Sequence, residues 1–479
     1  MNPTSPESPV QGDAVGTNRW YLSGAPIIRS LVHLCVPMAA GMVISALYNV
    51  INAGFIGSLH DSTLLAAITF GTPLLGLVLA FGGVFGVGGS ALISRLLGAA
   101  EHDPAKAAEI RHVSSFSVWG SVLAGVVVGG LGLLLLDPLV ALLGADGAAA
   151  SPTKAFVAVM LASVPVLCAA LCLEHLVRSE GAARQAMIGL IVSTIANLVF
   201  DVLFILVLHW GVAGAALAVG LGNLLSAAYW ALWLHRNSEH VSLAPRWFTL
   251  RLSVVKPVLG VGVGQLFQSA FIVVTALVLN NLAAAYGDDP LAAMGVAVRI
   301  AQVPEFLVMG VTIGVLPLLA YSYGKGDRQR LTAALRGSAI AVGGMAVGFS
   351  ALVFVFREPV LSLFTADHAV LAVAVTILVA QLVAMVANGF TGLITSLFQA
   401  TGRVVPATVM STAQGVLFIP IVLLGNLWFG LAGIIWALTL TEGIVLVVGI
   451  VMWFATRQAI ERGLAEGSPE RAEEMLVEA

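Results

Sequence analysis

Twelve apolar runs, each long enough to cross a bilayer as a helix, divide this chain of 479 residues. They fall near 31–57, 64–96, 113–136, 155–177, 186–208 and 211–234, then 252–284, 290–322, 332–356, 368–398, 403–427 and 430–455. A spanning helix needs about 20 mostly apolar residues, because ~1.5 Å of rise per residue must cover a hydrocarbon core of ~30 Å. Composition agrees: 59% of residues are hydrophobic and only 10% charged, where a soluble domain carries about 25% charged residues. The expected fold class is therefore an all-α integral membrane protein. Several runs are longer than spanning requires, so the helices should tilt, bend or protrude, with kinks at Pro37, Pro73, Pro165, Pro257, Pro304 and Pro317. Cys35, Cys168 and Cys172 lie within apolar runs at spacings that suit neither a disulfide nor a zinc site.

Charge placement sets an orientation. With the amino terminus inside, all of the 22 Lys and Arg residues except Lys154, Arg299 and Arg357 fall on cytoplasmic segments, as the positive-inside rule asks. Both termini are then expected to be cytoplasmic, in a multi-pass protein of the plasma membrane. The polar amino-terminal segment lacks the apolar core of a cleaved signal peptide, so the first spanning helix should direct insertion.

The chain also repeats itself. Leu65-Ala66-Ala67 recurs as Leu291-Ala292-Ala293 and Gly98 as Gly324, both at an offset of 226. Gly181 recurs as Gly402, and Gly211-Val212-Ala213-Gly214 as Gly430-Leu431-Ala432-Gly433. The spans thus form two six-helix bundles of the same orientation, related by a pseudo-twofold axis along the membrane normal. The expected division is a cytoplasmic tail over 1–26, an N-lobe over 27–235, a cytoplasmic linker over 236–251, a C-lobe over 252–456 and a second cytoplasmic tail over 457–479.

Ionisable groups inside the spans are costly, at ~2.5 kcal/mol or more by insertion scales, and mark functional positions by default. In the N-lobe, Asp201 sits in the outer half of the fifth span, with Asn197 one turn before it and Thr194 two turns before. Ser45, Tyr48, Asn49 and Asn52 form a second polar stripe on the first span, and Asn52 lies at a depth comparable with Asp201. Glu174 lies four residues before Arg178, the order favoured for a surface ion pair. In the C-lobe, Glu305 lies mid-span on a stripe with Gln302, Met309 and Thr312, with Arg299 a potential partner. Glu442 lies mid-span on the last helix, and Gln265, Gln268, Asn280, Asn388, Gln399 and Gln414 add neutral polarity. No P-loop, HExxH or GxSxG motif occurs. That excludes an ATP-driven pump on this chain alone and leaves an integral membrane transferase without a motif.

Together these residues resemble the multidrug and toxic compound extrusion (MATE) family over about 27–453. The matching stretches are Val36-Pro37 with Tyr48-Asn49 to Gly57, then Arg178-Ser179-Glu180-Gly181, then Asn197 to Asp201 followed by Gly211-Val212-Ala213-Gly214. In the second half they are Pro317 to Gly324 and Phe398-Gln399-Ala400-Thr401-Gly402. The resemblance implies a secondary exporter, not an enzyme. It would antiport organic cations or amphipathic compounds against H⁺ or Na⁺ by alternating access, without a further cofactor. It implies cation coupling at Asp201, Asn197, Asn52 and Glu174, with any Na⁺ held at Asp201. It also implies a substrate cavity at Glu305, Gln302, Gln265, Gln268, Asn280, Glu442, Met309 and Tyr48. Membrane lipids and small-molecule substrates are the expected partners of a monomer, with no nucleic acid. Two departures stand out: Asn52 replaces the family's usual aspartate, and Glu174 its frequent asparagine. Either one carboxylate has moved from the first span to the fourth, against the difference in depth, or coupling rests on Asp201 alone or shifts towards Glu305. The rival reading within the same superfamily is a lipid or glycolipid flippase, which would require a basic portal where this chain offers only Arg299.

Overall fold

The computed structural model describes residues 14–58, 62–143, 150–362 and 368–466. Among them, twelve helices are long and apolar enough to cross a membrane. In chain order they are α1 (Ile27–Ser58), α2 (Ser62–Ala99), α3 (Ala105–Leu134), α4 (Ala150–Ser179), α5 (Ala183–Asp201) and α6 (Gly211–Asn237) in the N-lobe. The C-lobe holds α7 (Leu252–Ala284), α8 (Asp288–Gly324), α9 (Arg328–Val355), α10 (His368–Ala400), α11 (Val404–Phe429) and α12 (Leu431–Glu466). In each lobe the fourth helix is the hub: α4 packs on α2, α3 and α6, and α10 packs on α8, α9 and α12. Pro37, Pro165, Pro257, Pro304 and Pro317 all lie inside continuing helices, as does Pro420.

The repeat has a geometric counterpart. The lobes meet through α2 on α7 and α1 on α8, with α2 crossing α8 between them. At that crossing a Cβ on Gly98 would lie 2.1 Å from the Tyr321 carbonyl oxygen, and one on Gly324 would lie 1.9 Å from that of Arg95. Arg95 and Tyr321 are themselves 226 residues apart, so each repeat's glycine rests on the other repeat's backbone. Small residues permit such close approach between apolar helices. Gly88 on Val258, Gly262 on Val84, Gly314 on Leu34–Cys35 and Gly310 on Ala39 continue the seam, which reaches Gln265 on Gly83. Beyond this level α1 leans on α5 of its own lobe and α8 on α10. The tightest approaches between the lobes thus lie towards the end that carries the helix Asn18–Ser23 and the last turns of α12.

Two segments expected as tail and linker are more ordered than that. Helix α12 continues ten residues past the expected end of the C-lobe, to Glu466. Its extension is held by a one-turn pair, Arg457 Nε to Glu461 Oε1 at 3.0 Å, and by the buried Ile460 and Leu464. The linker is strapped along α3. Ser115 Oγ donates to Ala244 O (2.9 Å), Trp119 Nε1 to Leu243 O (2.9 Å), and Ser114 Oγ to Ser242 O (3.0 Å). A short helix, Asn18–Ser23, also forms in the amino-terminal tail. Its end is clasped from the C-lobe: the Arg330 guanidinium donates to the carbonyls of Tyr21 (2.9 Å) and Ala25 (2.9 Å) and to Ser30 Oγ (3.1 Å).

Candidate functional site: acids inside the two lobes

Helix α5 is regular up to Asp201 and then widens into a π-helical turn, Val202–Val207. π-Turns are rare and concentrate at functional sites. The stacked rings of Phe200, Phe204 and Trp210 line this turn, and His209 takes a left-handed φ of 57° to close it. Asp201 is only 2% exposed. Tyr48 Oη, on α1, donates to its Oδ2 at 3.5 Å.

One turn before Asp201, Asn197 is 6% exposed. It is seated against α6 at Gly222, where a Cβ would come within 3.0 Å of the Asn197 side chain. Its Oδ1 has no hydrogen-bond partner among the described residues, and neither does the buried Oδ1 of Asn52, one turn beyond Tyr48 on α1. Buried polar atoms are nearly always bonded, so two orphan acceptors in the region of one carboxyl call for an explanation. A carboxylate with amide oxygens is a hard-oxygen donor set. It suits a small cation or a proton shared between oxygens.

Glu174 is placed elsewhere. It pairs with Arg178, Nη2 to Oε1 at 3.7 Å, and the same Nη2 lies 2.6 Å from His175 Nδ1. The spacing foretold the pair but not its setting: both side chains are buried, at 5% and 7% exposure, instead of lying at the surface. The cause is α4's hub position, with His175 pressed against α2 at Gly86. Among the described residues no hydrogen bond or ion pair joins Glu174 to Asp201 or Asn52.

The C-lobe acids differ. Glu305 is exposed and accepts from Asn388 Nδ2 at 3.5 Å, so its neighbour is α10 and not Arg299, which is exposed and unpaired with it. A mid-span carboxyl facing hydrocarbon is costly, which favours a wet surrounding for this exposed face. Glu442 is 2% exposed; its Oε1 accepts from Gln414 Nε2 at 2.5 Å, and its Oε2 is an orphan. Gln265 lies on the seam at Gly83, and Gln268, Gln302 and Met309 are part-buried. The side chain of Asn280 lies outside the described residues. Asn388 and Gln414 are partners that sequence reasoning ranked only as background polarity. Their signal was a lone amide interrupting an apolar run.

Comparison with known proteins places this geometry in a family. The family model described as MatE matches residues 37–203 and 265–424, one stretch in each lobe. The chain is 31% identical over 441 residues to the multidrug export protein MepA of Staphylococcus aureus strain MRSA252, covering 92% of this chain and 96% of that one. It is 30% identical over 447 residues to the MepA of Staphylococcus saprophyticus, covering 93% and 98%. Among solved structures, an outward-facing multidrug-resistance MATE transporter of the MOP superfamily superposes with a TM-score of 0.85 at 22% identity, covering 93% of this chain and 99% of that one. The chain belongs to the MATE family: it is a multi-pass membrane transporter and not an enzyme.

Proposed function

We propose that this transporter is a secondary multidrug exporter that antiports organic cations or amphipathic compounds against an inward H⁺ or Na⁺ gradient by alternating access. The observation that carries the coupling assignment is the buried Asp201, touched by Tyr48, with orphan amide oxygens one turn away along each helix, on Asn197 of α5 and on Asn52 of α1. Ion binding there neutralises a charge that burial penalises. It would thereby bias the two lobe arrangements by the difference in ion affinity between them. Glu305, exposed on α8, is the proposed contact for a cationic substrate, with Gln302, Gln268, Met309 and Tyr48 shaping the cavity. Glu174, tied to Arg178, serves the packing of α4 in this reading. The distribution of Lys and Arg supports a cytoplasmic place for both termini, and the protein is proposed to act as a monomer in the plasma membrane.

The direct test is reconstitution in liposomes with a fluorescent organic cation, first under an imposed H⁺ gradient and then under a Na⁺ gradient. Transport driven by one of them is expected and names the ion. Folded protein that moves the dye under neither gradient would overturn the antiport assignment.

A further inference from the structure

In the C-lobe, on the side of the last turns of α12, a cavity of about 500 Å³ lies between α9, α10 and α12. None of the seam helices α1, α2, α7 and α8 lines it, so it is separate from the transport pathway proposed above. Its rim is basic. Glu461 Oε1 is shared by Arg328 Nη2 at 3.1 Å and Arg457 Nε at 3.0 Å, a bridge from α9 to α12. Arg336, two turns further along α9, is exposed and has no hydrogen-bond or ion-pair partner among the described residues. Three guanidiniums against one carboxylate leave an excess of positive charge. Deeper in, the wall is apolar, formed by Leu335, Leu397 and Trp453 with their neighbours.

We propose that this cavity binds an anionic phospholipid from the leaflet on the side of the last turns of α12, its phosphate at Arg336 and Arg457 and an acyl chain against Leu335 and Trp453. Charge and depth both favour that occupant. Basic pockets between spanning helices recruit anionic headgroups, tryptophan concentrates at the headgroup level, and the arginine stems lie along apolar wall while their heads stay at its rim. Guanidinium forks match phosphate oxygens in pairs. A free phosphate would engage the rim but leave the apolar wall uncovered.

The test uses the purified full-length transporter in detergent and native mass spectrometry. The probes are short-chain phosphatidylglycerol, phosphatidylcholine of the same acyl chains, and glycerol phosphate. Phosphatidylglycerol is expected to bind about tenfold more tightly than phosphatidylcholine. The double variant Arg336→Gln/Arg457→Gln should lose that preference, and Arg29→Gln, exposed on α1 outside the cavity, should keep it. Leu335→Trp, which adds bulk to the apolar wall and spares every arginine, should weaken phosphatidylglycerol binding independently and guards against misfolding of the double variant. Equal binding of the two lipids, or an unchanged preference in both cavity variants, would overturn the proposal. Glycerol phosphate binding as tightly as the lipid would overturn the assignment of a lipid.

Discussion

In the N-lobe one carboxyl, Asp201, is enclosed at 2% exposure beside a phenol, with an orphan amide oxygen one turn from the carboxyl on α5 and another one turn from the phenol on α1. In the C-lobe two carboxyls divide these attributes: Glu305 is exposed and Glu442 enclosed, each held by one amide nitrogen. Each helix that carries one of them has a counterpart in the other lobe, but the chemistry is not repeated there. At the offset of 219 that relates Gly211 to Gly430, Asp201 falls on Pro420 and Asn197 on Val416. At the offset of 226 that relates Gly98 to Gly324, Glu305 falls on Leu79. Backbone packing is thus held symmetric at the seam, while each lobe's interior carries its own polar set. An enclosed carboxyl suits a small ion that can shed its water, and an exposed one suits a bulky cation.

The largest effect expected from this contrast is on coupled transport. Asp201→Asn should abolish ion-driven dye efflux from liposomes, by about a hundredfold or more, since one interaction made by only one coupled state is removed. Glu305→Gln should retain ion-driven flux and weaken apparent affinity for a cationic dye, by about tenfold, more than for a neutral one. Exchanged phenotypes would reverse the roles of the lobes.

Next in size is the seam. Gly98→Val and Gly324→Val each drive a side chain into backbone of the opposite repeat, and overpacking costs roughly 1–3 kcal/mol even where neighbours can yield. Both should lower the melting temperature of the purified protein, and by similar amounts. One variant tolerated and the other not would show that the crossing is less symmetric than its geometry.

A smaller asymmetry is tied to pH. Glu180, in the turn between α4 and α5, is pushed up to about 7 by burial, against the hydrogen bond from Ser238 and the charge of Arg19 that pull it down. Its folded value lies above its unfolded one, so its stabilisation is complete below about pH 4.5 and is lost as pH rises through 7. That amounts at most to about 3 kcal/mol. At the offset of 221 linking Gly181 to Gly402, the corresponding C-lobe residue is Thr401, which does not titrate in this range and bonds within its own helix. Melting temperature should therefore fall between pH 5 and pH 8, and Glu180→Gln should flatten the profile. An equally steep profile in that variant would locate the titration elsewhere.

The smallest effect concerns Tyr48. At 3.5 Å its bond to Asp201 is long, and a neutral hydrogen bond contributes about 0.5–1.5 kcal/mol. Tyr48→Phe should shift the concentration of coupling ion needed for half-maximal transport by less than about tenfold. A loss as deep as that of Asp201→Asn would make the phenol an equal member of the ion site.

What the sequence disclosed, and what it withheld, follows the same physics. The spans were legible because a bilayer imposes one length and one polarity on every segment that crosses it. The glycine repeat was legible because close backbone approach tolerates few other residues. Asp201, Asn197 and Glu305 were legible as costly exceptions in apolar runs. Spacing along one helix cannot say which other helix covers a given face. So the burial of Glu174 with Arg178, the contact of Tyr48 with Asp201 and the pairing of Glu442 with Gln414 had to come from the packed structure. The extension of α12 escaped a hydropathy reading because Arg457 and Glu461, which hold it, count there as marks of a tail.

The crossing at Gly98 and Gly324 bears on how such a molecule can move at all. It lies where each repeat's glycine rests on the other repeat's backbone. In the alternating access proposed above, a rotation about that point would displace it hardly at all, while the far ends of two helices of 38 and 37 residues, more than about 50 Å long, would swing through a wide arc. Two missing methyl groups thus make a bearing: smooth enough for backbone to turn on backbone, and too tight for any side chain to lodge between.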